Sequence, residues 1–162
     1  EKFIPPKKGK KHILFIIREL LVFNPESSGT DIALALKYYS DALKRRCTTF
    51  LISDFIDSND FSQALRIANN KHDLMAIQVY DKRESVLPNV GLLKVKDLET
   101  NEILWVDSSS KQVRNLYSKS WYEHQQQLSL LLQKSKIDVA SIATDEDFVK
   151  ALRGLLQNRS YR

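Results

Sequence analysis

The chain has 162 residues, a hydrophobic content of 43% and a formal net charge of +5, which suits one globular domain with a core of its own. Its single cysteine, Cys47, excludes an internal disulfide and favours a reducing, cytoplasmic environment. No apolar run approaches the roughly 18 residues that span a bilayer, and no signal peptide is visible. Because the chain begins at Glu1 without an initiator methionine, we expect it to be part of a longer protein.

The first predicted element is an amphipathic helix. Residues 10–23, KKHILFIIRELLVF, repeat apolar side chains at helical spacing. A cluster of helix breakers at Asn24 to Gly29 predicts a loop after it. A second helix is predicted over residues 30–46, with Thr30 or a neighbour as its cap and Asp31 suited to the positive end of its dipole.

Three short apolar runs predict the strands of a parallel sheet. They cover residues 47–53, 72–81 and 136–142, and continuous apolar runs of this length are typical of strands buried on both faces. Residues 60–70 behind the first run and residues 111–134 before the third are helical in pattern. Strands that alternate with helices indicate an α/β fold with right-handed crossovers and helices on the faces of the sheet.

Two further elements complete the predicted fold. Residues 91–107 hold two stretches of alternating pattern around the polar turn LETNE, which predicts a β-hairpin inserted after the second strand. Residues 144–159 predict a final amphipathic helix that opens with a capping box formed by Thr144 and Asp147.

The first predicted strand delivers Ser53 and Asp54 to the carboxyl end of the sheet. In open parallel sheets ligands bind outside that end. Together with Thr30 on an earlier loop, these residues would supply the hydroxyl and carboxylate oxygens that Mg²⁺ prefers. The alternative is structural, because an aspartate after a strand commonly tightens a turn or caps the next helix.

The sequence offers no catalytic constellation, and we predict a protein without enzymatic activity. Cys47 lies at the start of a strand, away from the carboxyl end, and is expected to be a buried structural thiol. His12, His72 and His124 are scattered, and none forms the i, i+4 pair of a helical zinc site. Three aromatic residues are interpreted as packing in the core or the hairpin: Trp105, Trp121 and Tyr122.

A family resemblance adds to this interpretation. The segments SSGTDIALAL, TTFLISDFID, HDLMAIQVYDKRE, LPNVGLLKVKDLETNEILWVD and TDEDFVKAL resemble, in this order, the von Willebrand A-like bacterial family catalogued as domain of unknown function 58. The resemblance covers nearly the whole chain. It implies that residues 1–162 are a single, incomplete, doubly wound domain whose sheet is mainly parallel, with the hairpin of residues 91–107 inserted into it.

The resemblance also implies a metal-ion-dependent adhesion site built from three loops. Thr30 matches the threonine of the second loop and Asp54 the aspartate of the third, with Asp31 and Ser53 as neighbouring binding residues. The Asp-x-Ser-x-Ser sequence of the first loop does not occur in these 162 residues. The expectation is therefore a site that holds Mg²⁺ in a full-length protein and no metal in this chain.

The function implied by the resemblance is protein binding. An acidic side chain of the partner would complete the coordination of the metal, and a AAA+ ATPase of the MoxR type is the expected partner. The alternative is a phosphate- or nucleic-acid-binding domain that uses the basic run Lys7 to Lys11 with Arg45 and Arg46. Because no aromatic stacking platforms interleave with the basic run, an exposed start of a helix is favoured over nucleic-acid contact.

The resemblance further implies that the strand Thr48 to Ser53 pairs with a strand that this chain lacks. Such a strand would present an unpaired backbone edge, which is a template for association with another chain. We therefore expect the chain to self-associate, most simply as a two-fold dimer.

Overall fold

A computed structural model describes residues 2–25, 29–96 and 102–160, with side chains as far as residue 157. The described residues fall into two compact units. One holds helix α1 (Lys10–Val22), and the other holds the α/β part of the chain. The elements that follow α1 are, in chain order, α2 (Ile32–Ala42), β1 (Thr48–Ser53), α3 (Ser62–Lys71), β2 (Asp73–Tyr80), a 3₁₀ turn (Lys82–Ser85), β3 (Leu92–Lys96), β4 (Ile103–Asp107), α4 (Lys111–Lys134), β5 (Asp138–Ala143) and α5 (Phe148–Ser160).

The three predicted apolar strands form one parallel sheet, in the order β1, β2, β5. Thr48 lies opposite Asp73 at one junction, and Met75 lies opposite Asp138 at the other. Strands β3 and β4 form a separate two-stranded antiparallel sheet, which confirms the inserted hairpin. Residues 98–101 of the predicted turn LETNE, which spans residues 98–102, lie outside the described residues. The mixed α/β class predicted from the sequence is therefore confirmed.

Helices cover the parallel sheet on both faces. On one face, Leu74 of β2 belongs to the same core cluster as residues of α2, α3 and α4, namely Leu36, Leu65 and Leu132. On the other face, β2 and β5 pack against α5 through Met75, Ile77, Ala140, Ile142 and Leu155. Each fully buried Leu or Met side chain contributes about 1.5–3 kcal/mol through loss of apolar surface to water. The sheet is thus the middle layer of three.

Strand β1 departs from the predicted burial. The side chains of Phe50 and Ile52 are 44% and 63% exposed, so the expectation of a strand buried on both faces is wrong. The register places Phe50 beside Met75 and Ile52 beside Ile77, on the face that α5 covers. Strand β1 is one of the two edge strands, and α5 packs on β2 and on the other edge strand, β5, which leaves this face of β1 open to solvent.

Helix α1 follows the predicted boundaries, but its apolar side chains are not covered. Leu20 and Leu21 are largely exposed, and α1 contains no buried residue. Among the described residues, none of the helices combines the length and the apolar character needed to cross a lipid bilayer. The apolar side chains of α1 are therefore not buried within the unit that holds this helix.

The two predicted helix caps are supplied by aspartates. The carboxylate of Asp31 accepts a hydrogen bond of 2.7 Å from the backbone N–H of Leu34, which makes Asp31 the cap of α2. At α5, Asp147 Oδ1 accepts from the N–H of Val149 at 2.9 Å. The predicted capping box with Thr144 as its first residue is wrong, because α5 begins only at Phe148.

Candidate functional site

The start of α2 and the end of β1 lie at the same end of the sheet. The backbone N–H of Ile32, in the first turn of α2, donates a hydrogen bond of 2.8 Å to Asp57 Oδ2, four residues beyond β1. Ile32 is buried and belongs to the core. This bond places the segment that carries Thr30 and Asp31 beside the segment that carries Asp54.

Asp54 is exposed and forms the turn that follows β1. Its Oδ1 accepts from the N–H of Ile56 at 3.1 Å and from Ser53 Oγ at 3.4 Å. Ser53 Oγ in turn accepts from the N–H of Phe55 at 3.0 Å. The turn-forming role weighed from the sequence is therefore present. Within the described part of the chain no hydrogen bond engages Asp54 Oδ2, so one carboxylate oxygen stays open to a ligand.

The buried side chain of Phe55 anchors this turn to the core. Its ring is fully buried, 6.3 Å from the ring of Phe61 between centroids, while the backbone of Phe55 has a φ of 61°. A bulky side chain at a positive φ is a strained outlier, and such strain persists only where the surroundings impose it. The burial of the ring thus holds Asp54 and Ile56 at the surface on either side.

The donor types at this end of the sheet fit a hard cation. Thr30 offers a hydroxyl and Asp54 a carboxylate, and Mg²⁺ prefers such oxygens. The carboxylate of Asp31 is already engaged as the cap of α2. Residues 2–25, 29–96 and 102–157 contain no group of three or more His, Cys, Asp or Glu side chains that would hold a metal. Thr30 and Asp54 are the two donors that the family resemblance assigns to a metal, and an octahedral ion would need further ligands.

Asp54 also borders a cleft that sequence reasoning missed. The cleft has a volume of about 260 Å³ and lies between the carboxyl ends of β1 and β2 and one face of α4. It is lined by Asp54, Ile56, Tyr80, Glu84, Tyr117, Ser120, Trp121, His124 and Gln125. The available signal was the spacing along α4, where His124 and Gln125 interrupt an otherwise apolar stripe. Trp105 and Tyr122, interpreted as packing residues, are each 60% exposed and do not belong to the core.

A second polar cluster lies at the opposite, amino end of the sheet. Cys47 Sγ is 3.3 Å from His72 Nδ1 and 3.0 Å from the hydroxyl of Tyr39, which also contacts Thr49. Cys47 is half-buried, so the expected buried thiol is only partly enclosed. The signal in the sequence was positional: Cys47 and His72 each immediately precede one of two neighbouring parallel strands.

Burial governs the charge states of this cluster. It raises the pKa of Tyr39 to about 12, with the hydrogen bond to Cys47 adding to the effect. It lowers the pKa of His72, and the charge of Lys71 lowers it further. The folded state therefore favours the uncharged forms of both the phenol and the imidazole.

Comparison with known sequences identifies relatives of the chain. The profile of the family described as Protein of unknown function DUF58 matches residues 1–127. An uncharacterized protein of Mycobacterium tuberculosis is 24% identical over 148 residues, which is 90% of this chain and 46% of that protein. An uncharacterized protein of Mycobacterium bovis gives the same values.

The relatives differ in length. An uncharacterized protein of Mycobacterium avium is 22% identical over 158 residues, which cover 96% of this chain and 93% of that protein. By contrast, the chain spans about half the length of the curated M. tuberculosis and M. bovis relatives. No solved structure matches the chain significantly.

Proposed function

The chain belongs to the family Protein of unknown function DUF58, and from that membership we propose that it is a non-enzymatic protein-binding module of the von Willebrand A-like kind. The observation that carries the proposal is the hydrogen bond from Ile32 to Asp57, which joins the segment before α2 to the segment after β1. Ligands of open parallel sheets bind at this carboxyl end. Thr30 and Asp54, which the family resemblance assigns to an adhesion site, both lie on these segments.

In this proposal, Thr30 and Asp54 hold one side of a Mg²⁺ site. When bound, the ion supplies a positive charge that attracts a carboxylate of the partner protein. Asp54 contributes through its open Oδ2, because Oδ1 is engaged in the turn. Asp57 holds the start of α2 in place, and Phe55 holds the turn. The remaining ligands come from water, from the partner or from a longer form of the protein.

The proposed partner is a AAA+ ATPase of the MoxR type. This assignment rests on the family resemblance, since the relatives carry no functional name. The chemistry of the site sets one requirement for such a partner. It must present an exposed acidic side chain that can approach the carboxyl end of the parallel sheet, where the open oxygen of Asp54 lies.

The test measures metal-dependent capture of the partner. A purified MoxR-type ATPase from the source organism is titrated onto the immobilised chain, and onto a longer natural form of it, in Mg²⁺ or in EDTA. We expect binding in Mg²⁺ that is lost in EDTA. Thr30→Ala and Asp54→Ala should each weaken it at least tenfold. The matched control is Asp41→Ala, which removes an exposed carboxylate near the far end of α2.

Two results would overturn the proposal. Capture that is equal in Mg²⁺ and in EDTA would exclude a metal-bridged contact. Binding could instead be unchanged by EDTA, fall steeply with salt and require the basic residues Lys7 to Lys11. This result would establish a phosphate-binding surface.

A further inference from the structure

The cleft beside Asp54 is lined by both acidic and aromatic side chains. The carboxylates of Asp54 and Glu84 line it, and none of its lining residues is a lysine or an arginine. Within the described part of the chain, the Glu84 carboxylate forms no ion pair. The adjacent Arg83 pairs with Asp81 instead. The cleft therefore carries negative charge with no cation of its own.

Tyr80 and Trp121 are two of the aromatic residues that line the cleft. Their ring centroids lie 6.1 Å apart at an interplanar angle of 52°, and both side chains are half-buried. Indole and phenol rings attract a cation placed over their faces, with Trp the strongest. Carboxylates and aromatic rings that line the same cleft are a combination that selects a positively charged group.

One polar group at the base of the cleft has no partner. His124 Nε2 is buried and makes no hydrogen bond within the described residues. Next to it, Gln125 Oε1 accepts from Gln78 Nε2 at 2.8 Å, which leaves the amide N–H₂ of Gln125 free of that bond. A buried polar atom without a partner calls for an explanation, and a bound donor or acceptor supplies one.

The size of the cleft indicates what enters it. Its volume of about 260 Å³ is below the roughly 300–1,000 Å³ of pockets that hold drug-sized ligands. It suits a single long side chain. Among cationic side chains, arginine combines a planar group that stacks on aromatic rings with several donors that match carboxylates. Lysine is a compact, strongly hydrated charge and fits this lining less well.

We propose that the cleft binds the side chain of an arginine presented by a protein partner. The guanidinium lies over Tyr80 or Trp121 and donates to the carboxylate of Glu84, while Asp54 adds negative charge at the border of the cleft. This inference rests on the proposed function only in taking the partner to be a protein. It adds that the partner carries an arginine near the acidic residue that approaches the metal.

The test uses a probe that engages the cleft alone. Nα-acetyl-arginine amide is titrated into the chain in EDTA, with the fluorescence of Trp121 as the readout in a Trp105→Phe background. The matching citrulline amide has the same shape without the charge, and the lysine amide has the charge without the plane. We expect saturable binding that is about tenfold tighter for arginine than for citrulline, because the uncharged citrulline cannot form charged hydrogen bonds to the carboxylate of Glu84.

Two variants locate the probe. Glu84→Gln keeps the shape of the side chain and should weaken arginine binding about tenfold, whereas Glu123→Gln should leave it unchanged. Glu123 is an exposed carboxylate on α4 that pairs with Lys119 and does not line the cleft. Equal binding of arginine and citrulline, no saturable signal, or an unaffected Glu84→Gln variant would each overturn the inference. Because the titration contains no metal, its outcome is independent of the Mg²⁺-dependent capture.

Discussion

Removing the carboxylate of Asp57 should loosen the attachment of α2 to the end of β1. In Asp57→Ala the N–H of Ile32, 2.8 Å from Asp57 Oδ2, loses its acceptor in a buried setting. An orphaned buried donor costs about 1–3 kcal/mol, and the lost negative charge at the helix N-terminus adds about 0.3–1 kcal/mol. We expect the free energy of unfolding to fall by about 2–3 kcal/mol, which is about 1 M in the urea midpoint.

Two companion variants separate the hydrogen bond from the charge. Asp57→Asn keeps an acceptor oxygen and should lose only the smaller, dipole-related part, about 0.3–1 kcal/mol. Asp41→Ala makes the same change in net charge near the other end of α2, where a carboxylate is not favoured, and should not destabilise. The measurement is urea unfolding followed by circular dichroism. If Asp57→Ala and Asp41→Ala shifted the midpoint equally, the role assigned to the Ile32–Asp57 bond would be refuted.

Three further predictions follow from the fold and the sites. Burial lowers the pKa of His72 from its ordinary 6.5, so the folded state favours the neutral ring. The stability that this group contributes is complete above pH 6.5 and decreases as the pH falls below 6.5. The urea midpoint should therefore be lower at about pH 5.5 than at about pH 7.5. His72→Phe should reduce this difference, and an identical pH dependence in the variant would contradict the role of His72. The chain alone should give no saturable Mg²⁺ heat at micromolar concentration in isothermal titration calorimetry, because it contributes only two fitting donors; micromolar affinity at Thr30 and Asp54 would show otherwise. Light scattering should detect a dimer, because the outer edge of β1 pairs with no strand among the described residues and Phe50 and Ile52 are exposed. Ile52→Lys should restore the monomer, whereas a monomeric wild type would mean that the edge is covered.

The sheet and the hairpin could be predicted because local patterns determine them. Continuous apolar runs such as Leu74 to Ile77 have few alternatives to a buried strand, and alternation around a polar turn identifies β3 and β4. The burial of β1 could not be predicted in the same way. It depends on how far α5 reaches across the sheet, and no pattern within Thr48 to Ser53 contains that information.

The candidate sites also differ in how far the sequence predicts them. That Thr30 and Asp54 lie on segments at the same end of the sheet follows from parallel topology alone. The cleft between Glu84 and Trp121 depends on the rotation of α4 about its axis, which helical spacing leaves open. The contact of Cys47 with His72 depends on the register of β1 against β2. Tertiary arrangement decides both features, and the sequence pattern indicates only which residues are available.

The buried ring of Phe55 has a thermodynamic consequence for any ligand of this surface. Fixing the backbone of one residue costs about 1–2 kcal/mol in conformational entropy. At this turn folding has already met that cost, because the buried ring anchors the backbone of residue 55 at its φ of 61°. A ligand that contacts Asp54 or Ile56 therefore meets groups already fixed in direction, and its affinity is not reduced by having to order the turn.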